Sequence, residues 1–261
     1  MTKFPSRLEH FKAVDSTQRV VREWLDAGTD EVAVAVAAYQ TAGRGRQGKE
    51  WTSAPGGGLL LSVGFKPEGF LAPKHGWRLA AIVALAMRDA AEEQAGLKDG
   101  TLWLKWPNDI VAEAADGGLR KVAGVLGESE TSGQRVKSAV IGIGINSDWK
   151  TADFPWALSP TMTSLRELAG RRPIDNAALL DGFLARLEPR YEALKAGTFD
   201  AGGWSVAQRT TGRKVVVELG GETVSGVATG VDPETGALLL DAEGGAAMSV
   251  DSGEVIRCRI R

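Results

Sequence analysis

Residues 40–51 read Gln40-Thr41-Ala42-Gly43-Arg44-Gly45-Arg46-Gln47-Gly48-Lys49-Glu50-Trp51. Three glycines open backbone conformations that a Cβ forbids. Arg44, Arg46 and Lys49 set cationic donors on that frame, and Trp51 closes it with a large flat surface. Such a loop suits a polyanion with an aromatic part, for example a nucleotide. It is unsuited to a hydrophobic core. Taken alone, the same residues also fit a mobile surface loop with solvated arginines.

The flanks are strands. Val32–Tyr39 is apolar and rich in β-branched residues, and Leu59–Phe65 repeats that character. The stretch 40–58 between them is a long loop, and loops of that length inside a compact domain are usually functional or disordered. Upstream, Leu8–Val14 reads as a short strand. Asp15-Ser16-Thr17 then caps a helix running to Ala27. Downstream, Trp77–Glu93 has helical periodicity with Gly96 as its stop. Thr101–Trp106 alternates as a strand, Pro107-Asn108-Asp109 turns, and Ile110–Ala112 resumes it. Asp116-Gly117 marks a hairpin tip within Ala115–Leu119. Val122–Glu128 and Val136–Ile145 complete a sheet, followed by helices at Thr163–Ala169 and Ala177–Lys195. Gly197, Gly202 and Gly203 read as a linker. Beyond Gly212 come short strands at Lys214–Leu219, Thr223–Val231, Ala237–Leu240, Met248–Val250 and Val255–Arg257, a pattern that suggests a small barrel.

Three further segments carry chemistry. Lys105-Trp106-Pro107-Asn108-Asp109 sets a cation, an aromatic ring and a carboxylate at one strand end, where sites in α/β folds collect; it also reads as an ordinary Asn-Asp turn. In Lys121-Val122-Ala123-Gly124, a glycine inside a strand fits either a ligand approaching the backbone or a bulge. In Gly142-Ile143-Gly144-Ile145-Asn146, alternating glycines bare one strand face for a planar ligand or a close-packed helix. Gly56-Gly57-Gly58 lacks the Lys-Ser/Thr of a phosphate loop and belongs to the flexible segment.

Composition narrows the class. The 261 residues are 43% hydrophobic and 25% charged, as in ordinary soluble globular proteins. A net charge of −2 offers no global field for nucleic acid or anionic membrane. Cys258 is the only cysteine, which excludes an internal disulfide and fits a reducing cytoplasm. Met1–Val14 has no apolar core of a signal peptide. Apolar runs such as Leu79–Met87 are too short to span a bilayer. His10 and His75 show no zinc-site spacing.

In order along the chain, Asp15-Ser16-Thr17, Gln40 to Arg46, Trp51, Lys105 to Asp109, Lys121 to Gly124 and Gly142 to Asn146 resemble the biotin protein ligases. The β-rich tail matches that family's C-terminal domain, so the resemblance covers nearly the whole chain. It implies an α+β fold. A mixed β-sheet with helices, like that of class II aminoacyl-tRNA synthetases, would form a catalytic domain over 1–211. A small SH3-like β-barrel would follow over 212–261. It implies ATP and Mg²⁺, biotin as substrate, and a biotin carboxyl carrier domain as partner. Biotinyl-5′-AMP would form first, and a carrier lysine would then take the biotinyl group.

The resemblance also assigns residues. Ser16, Thr17 and Gln40 would bond the biotin ureido ring, with Gln18 standing where many members have Asn. Gly43, Arg44, Gly45 and Arg46 would close over the biotin tail and phosphate, Arg46 nearest the reacting centre. Trp51 would stack on the ligand. Lys121 would bridge carboxyl and phosphate oxygens, and with Arg46 would be catalytic. Gly124, Gly142 and Gly144 would let the backbone approach the ligand, and Asn146 would bond adenine. Lys105, Asn108 and Asp109 are second choices for the metal or the acceptor lysine. Because Asp15-Ser16-Thr17 comes so early, no DNA-binding module is expected before it, and no DNA or membrane partner. A cytoplasmic monomer or homodimer is the expected form. A lipoate or octanoate ligase of the same fold is the nearest alternative. A non-catalytic biotin-binding regulator is the alternative of another class.

Overall fold

The computed structural model describes residues 4–259, so the first three residues of the Met1–Val14 segment lie outside it. Seven strands form one sheet: β1 (Arg7–Phe11), β2 (Ala33–Ala37), β3 (Leu59–Phe65), β4 (Leu102–Lys105), β5 (Asp109–Glu113), β6 (Leu119–Ser132) and β7 (Arg135–Ile145), in spatial order β1-β2-β3-β7-β6-β5-β4. Only β1 and β2 run parallel, so the chain between them must cross over, and helix α1 (Thr17–Asp26) makes that crossing. The remaining neighbours pair antiparallel; β4–β5, β5–β6 and β6–β7 are joined by short turns, whereas β2 and β3 are joined by the long 38–58 loop and β3 and β7 are not consecutive in the chain.

β2 and β3 are buried along their whole length because both sheet faces are covered. Period-two alternation sends Val34 and Val36 into the main core, while Ala35 packs with Val21 and Leu25 of α1. On the other face lie α2 (Trp77–Ala95) and α4 (Asn176–Lys195), which supply Leu79, Met87, Phe183 and Leu187 to that core. α2 ends where predicted: Gly96 takes a left-handed φ of 60° that an L side chain resists. The helix expected over 163–169 contracts to α3 (Leu165–Leu168), whose cap Ser164 accepts the Glu167 N–H.

The linker expected around Gly202 and Gly203 is instead a short helix, α5 (Ala201–Val206). Asp200 caps it by accepting the Gly203 N–H at 2.8 Å. Trp204 is buried against Trp77, ring centroids 4.6 Å apart. Tertiary packing and a cap override two poor helix formers.

The tail folds as β8 (Lys214–Leu219), β9 (Glu222–Val231), β10 (Leu238–Ala242), β11 (Ala247–Val250) and β12 (Glu254–Arg259). These form an antiparallel sheet of order β11-β10-β9-β8-β12, with β11 and β12 as its edges among the described residues. This five-stranded antiparallel sheet is consistent with the SH3-like fold expected of the tail. Its Val217, Leu238 and Val255 are continuous with the core of the larger sheet. Polar contacts add to that seam: Trp106 Nε1 donates to Gly236 O at 3.0 Å, and Glu113 of β5 accepts from Arg209 and pairs with Arg213 at 3.0 Å.

Glu113 gives this seam a pH dependence. Burial alone would raise its carboxyl, but Arg209 and Arg213 together hold it below its ordinary 4.5. A depressed folded-state value stabilises the fold above that pH and is lost as pH falls through it. Glu113→Gln leaves the buried Arg213 without its counter-charge and is expected to cost about 2–3 kcal/mol at neutral pH. The melting-temperature gap to wild type should narrow below pH 4.5. A gap that is constant across pH refutes the ion-pair account.

Candidate active site

The predicted segments converge on one cleft of about 1240 Å³, solvent at its mouth included. Its walls come from the N-terminus of α1, the 44–52 loop, β3, β5, β6, β7 and the tail sheet.

One end is a buried polar recess. Ser16 caps α1 in extended conformation; its carbonyl accepts from Val20 N at 3.2 Å, and its side chain makes no cap hydrogen bond. Thr17 N and Thr17 Oγ1 both donate to Gln40 Oε1, at 2.7 and 3.0 Å, and Thr17 Oγ1 lies 2.8 Å from Ser62 Oγ. The Gln40 carbonyl is thereby engaged, which leaves its amide N–H groups to face a ligand. Gln18 donates from Nε2 to Leu126 O at 2.9 Å. Its side chain fills the space over Gly142, where an added Cβ would stand 3.0 Å from Gln18 Cδ. Gln18, Thr17 and Ser62 are all buried.

The centre is built on two opposed glycines. Gly124 and Gly144 are direct partners in the β6–β7 ladder. The Trp51 indole lies on this gap, so a Cβ at Gly144 would come 2.5 Å from Trp51 Cε2. The planar group expected on the bare strand face is thus the chain's own tryptophan. Its Nε1–H is buried and meets no acceptor among the described residues, a donor held ready for a ligand oxygen or nitrogen.

Lys121 reaches this face through a bulge. In the β5–β6 ladder Ile110 pairs with Ala123 and Val111 with Lys121, so Val122 is the extra residue. Residues three apart on a regular strand point to opposite faces; the bulge brings Lys121 and Gly124 to the same one. The bulge weighed at Gly124 lies two residues earlier. Lys121 Nζ stands 2.6 Å from Asp109 Oδ1, an ion pair rather than an aligned hydrogen bond, and 5.3 Å from the Trp51 ring centroid. Lys105 Nζ lies 3.8 Å from Asp109 Oδ2. Asn108 locks the turn, donating from Nδ2 to Val125 O at 2.8 Å. Asn146 is buried on the wall and donates to Thr163 O at 3.2 Å.

The 43–51 loop folds over as a lid. Trp51 N donates to Gly43 O at 2.9 Å and Gly45 N to Lys49 O at 2.6 Å. Gly43 is outside the cleft lining: a Cβ there would strike the Trp51 carbonyl, so this glycine serves lid closure. Arg44, Gly45 and Arg46 do line the cleft. Their cations are held by protein. Arg44 pairs with Glu128 at 3.0 Å, beside Arg22 on the same carboxylate. Arg46 Nη1 donates to Gly253 O at 2.9 Å, and Lys49 pairs with Glu254 at 2.6 Å.

Sequence reasoning missed Ser62 of the recess and two larger contributors. The loop between β7 and α3 lends Trp149, Phe154, Leu158 and Met162, tied to β6 by Lys121 N donating to Thr161 O at 2.8 Å. The tail sheet lends Glu254, and its Val255 O accepts from Lys105 Nζ at 2.7 Å. No local pattern marks either, because both reach the cleft only through tertiary packing.

A mixed sheet carrying a polar recess, a cationic lid and a lysine beside a glycine floor defines a protein that binds a polar small molecule next to a phosphate-bearing one. The comparisons specify it. The chain resembles the biotin protein ligase of Aquifex aeolicus in complex with biotin and ATP, with a TM-score of 0.77 and 30% identity over 98% of this chain and 99% of that one. It is 33% identical over 228 residues to the biotin–[acetyl-CoA-carboxylase] ligase of Mycobacterium tuberculosis, covering 87% of this chain and 79% of the relative. It is 32% identical over 240 residues to the bifunctional ligase/repressor BirA of Bacillus subtilis, covering 91% and 70%. Residues 10–146 match the biotin/lipoate A/B protein ligase family, and residues 210–257 match the biotin protein ligase C-terminal domain. The chain belongs to the biotin/lipoate A/B protein ligase family.

Gly144→Ala tests the placement of Trp51. A strand tolerates alanine, so the sheet should hold, within the roughly 1–3 kcal/mol of an overpacking change. The displaced indole should loosen the lid and speed tryptic cleavage at Arg44, Arg46 and Lys49 severalfold. Wild-type cleavage rates would show that the ring does not rest on Gly144.

Proposed function

We propose that this ligase activates biotin with ATP as biotinyl-5′-AMP and transfers the biotinyl group to a lysine of a carrier domain in a biotin-dependent carboxylase. The observation that carries this reading is the continuity of one cleft from the hydrogen-bonded Thr17–Gln40–Ser62 recess to Lys121 and the arginine lid. The relatives' names and the biotin and ATP bound to the Aquifex aeolicus enzyme support it.

The recess discriminates between acyl substrates. Buried amides and hydroxyls lose free energy when a bound ligand leaves them unpaired. A ureido ring offers donors and an acceptor to Thr17, Gln40 and Ser16, whereas the dithiolane of a lipoyl group or an octanoyl chain offers no comparable set. Biotin is therefore favoured over lipoate.

In the first step a biotin carboxylate oxygen bonds to the α-phosphorus of ATP while the bond to pyrophosphate breaks. Charge builds on phosphate oxygens, and positioned cations stabilise it. Lys121 is our choice for the group between carboxylate and α-phosphate, held in place by Asp109 and the Val122 bulge. Arg46 and Arg44 would turn from Gly253 and Glu128 to the ligand's oxygens. These present partners are weak competitors: the Arg44 side chain is half exposed, and exposed pairs are worth under about 1 kcal/mol. In the second step the acceptor amine bonds to the acyl carbon, AMP departs with the bridging oxygen, and the amine loses a proton. Asp109, Asn108 and Lys105 stand nearest for orienting that amine. Gln18 and the Gly142 floor would bound the bicyclic ring, and Asn146 would face adenine.

Mg²⁺ would arrive on the triphosphate, which commonly supplies many of its ligands. Asp109, Glu50 and Glu254 are the carboxylates on the cleft wall, and they fit an outer role to a metal carried by the nucleotide. Among the described residues no group of three or more His, Cys, Asp or Glu side chains is placed to hold a metal by itself. Also among them, no helix is long and apolar enough to cross a membrane. We place the protein in the cytoplasm, where ATP and carrier domains meet, and divide it into units 1–211 and 212–261.

ATP–pyrophosphate exchange tests the reading. Biotin should support exchange and lipoate should not; exchange with lipoate alone overturns the assignment. Lys121→Ala and Arg46→Ala should each lower biotin-dependent exchange by about 10²–10³-fold. Wild-type turnover in either variant removes that residue from the chemistry.

A further inference from the structure

Trp156 is the most exposed of the large apolar side chains among the described residues, at 91%. It stands on the loop between β7 and α3. Two residues before and after it, Phe154 and Leu158 line the cleft. Phe154 is buried and packs on Trp149 at 4.7 Å between ring centroids.

The backbone beneath Trp156 is fixed. Pro155 O accepts from Leu158 N at 2.8 Å and from Ser159 N at 3.0 Å, and Ser159 Oγ donates to Trp156 O at 3.1 Å. Leu158 O accepts from Thr161 N at 2.9 Å, and Thr163 N donates to Lys121 O at 2.9 Å. An indole is therefore displayed to solvent on a constrained turn, tied to the strand that carries Lys121.

We propose that Trp156 is a docking anchor for the folded carrier domain that presents the acceptor lysine. This rests on the function proposed above. The second step requires a lysine from another protein to enter the cleft, so the body of that protein must rest on the cleft's rim, of which this loop is part. Tryptophan is among the residues that contribute most when buried at a protein interface. A rigid turn lowers the entropy lost on docking. A role over the nucleotide is disfavoured because Phe154, Leu158 and Met162 of the same loop already give the cleft its apolar wall.

The experiment separates the two half-reactions in the full-length chain, comparing wild type, Trp156→Ala and Trp156→Phe. Biotin-dependent ATP–pyrophosphate exchange needs no carrier, and hydroxylamine intercepts the adenylate without a protein surface. Both should be unchanged in Trp156→Ala. With a carboxylase carrier domain as acceptor, KM should rise about tenfold at nearly constant kcat, as loss of a moderate hot spot gives. Trp156→Phe should fall between. An unchanged carrier KM overturns the proposal. So does a raised KM for ATP or biotin in exchange, which would place the indole over the small substrates. A change of oligomeric state in Trp156→Ala on sedimentation would assign the indole to a second copy of this chain, with the same consequence. Absence of biotin-dependent exchange in wild type would instead remove the underlying function.

Discussion

The site depends on one pairing: Gly124 of β6 directly opposite Gly144 of β7. Two adjacent central strands present no side chains at that point, so a flat ring can lie on the backbone. Trp51 occupies the gap, and Lys121 comes to the same face because Val122 bulges out of the ladder. Shifting the β6–β7 register by one residue would flip Gly124 to the other face and put Val125 there. The buried Ile141, Ile143, Val125 and Ala123 hold that register from the core side. The hydrophobic face thus fixes where the bare face lies.

Polar chemistry is arranged around that floor in order of burial. In the recess Thr17 and Ser62 are buried, Gln40 is partly buried, and the three are bonded to one another, so the recess is preorganised. The arginine lid is partly exposed, and its ion pairs are individually weak. In the function proposed above, affinity and closure would fall to different groups, the recess reading the ligand while the lid exchanges one set of oxygen partners for another.

Much of this was legible in the sequence. Strands and helices with a clear period or a terminal glycine, such as Leu59–Phe65 and the helix ending at Gly96, fall where expected. The paired glycines announced a bare strand face, though not that Trp51 would cover it. What escaped prediction shares one physical origin. Asp200 and Trp204 turn a glycine-rich linker into helix through a cap and distant packing. Phe154, Leu158 and Glu254 reach the cleft only because distant segments fold onto it. The Val122 bulge depends on register with β5, which no local window contains.

The tail sheet shows why such tertiary terms matter to the chemistry. Three consecutive residues at the start of β12 and just before it engage groups of the cleft: Gly253 O takes Arg46, Glu254 takes Lys49, and Val255 O takes Lys105. Two of those cations belong to the lid, and the third lies beside the Asp109–Lys121 pair. The seam at buried Trp106 and Arg213 and partly buried Glu113 ties the tail sheet to the larger one. The tail therefore offers acceptors, held by a shared core, to cations of the 43–51 loop and of β4. A carbonyl such as that of Gly253 is a neutral acceptor, and charged acceptors bind guanidinium about twice as strongly. Under the function proposed above, exchange of Arg46 from the Gly253 carbonyl to a phosphate oxygen would trade a neutral acceptor for a charged one, whereas movement of the tail sheet would require breaking the core that both sheets share.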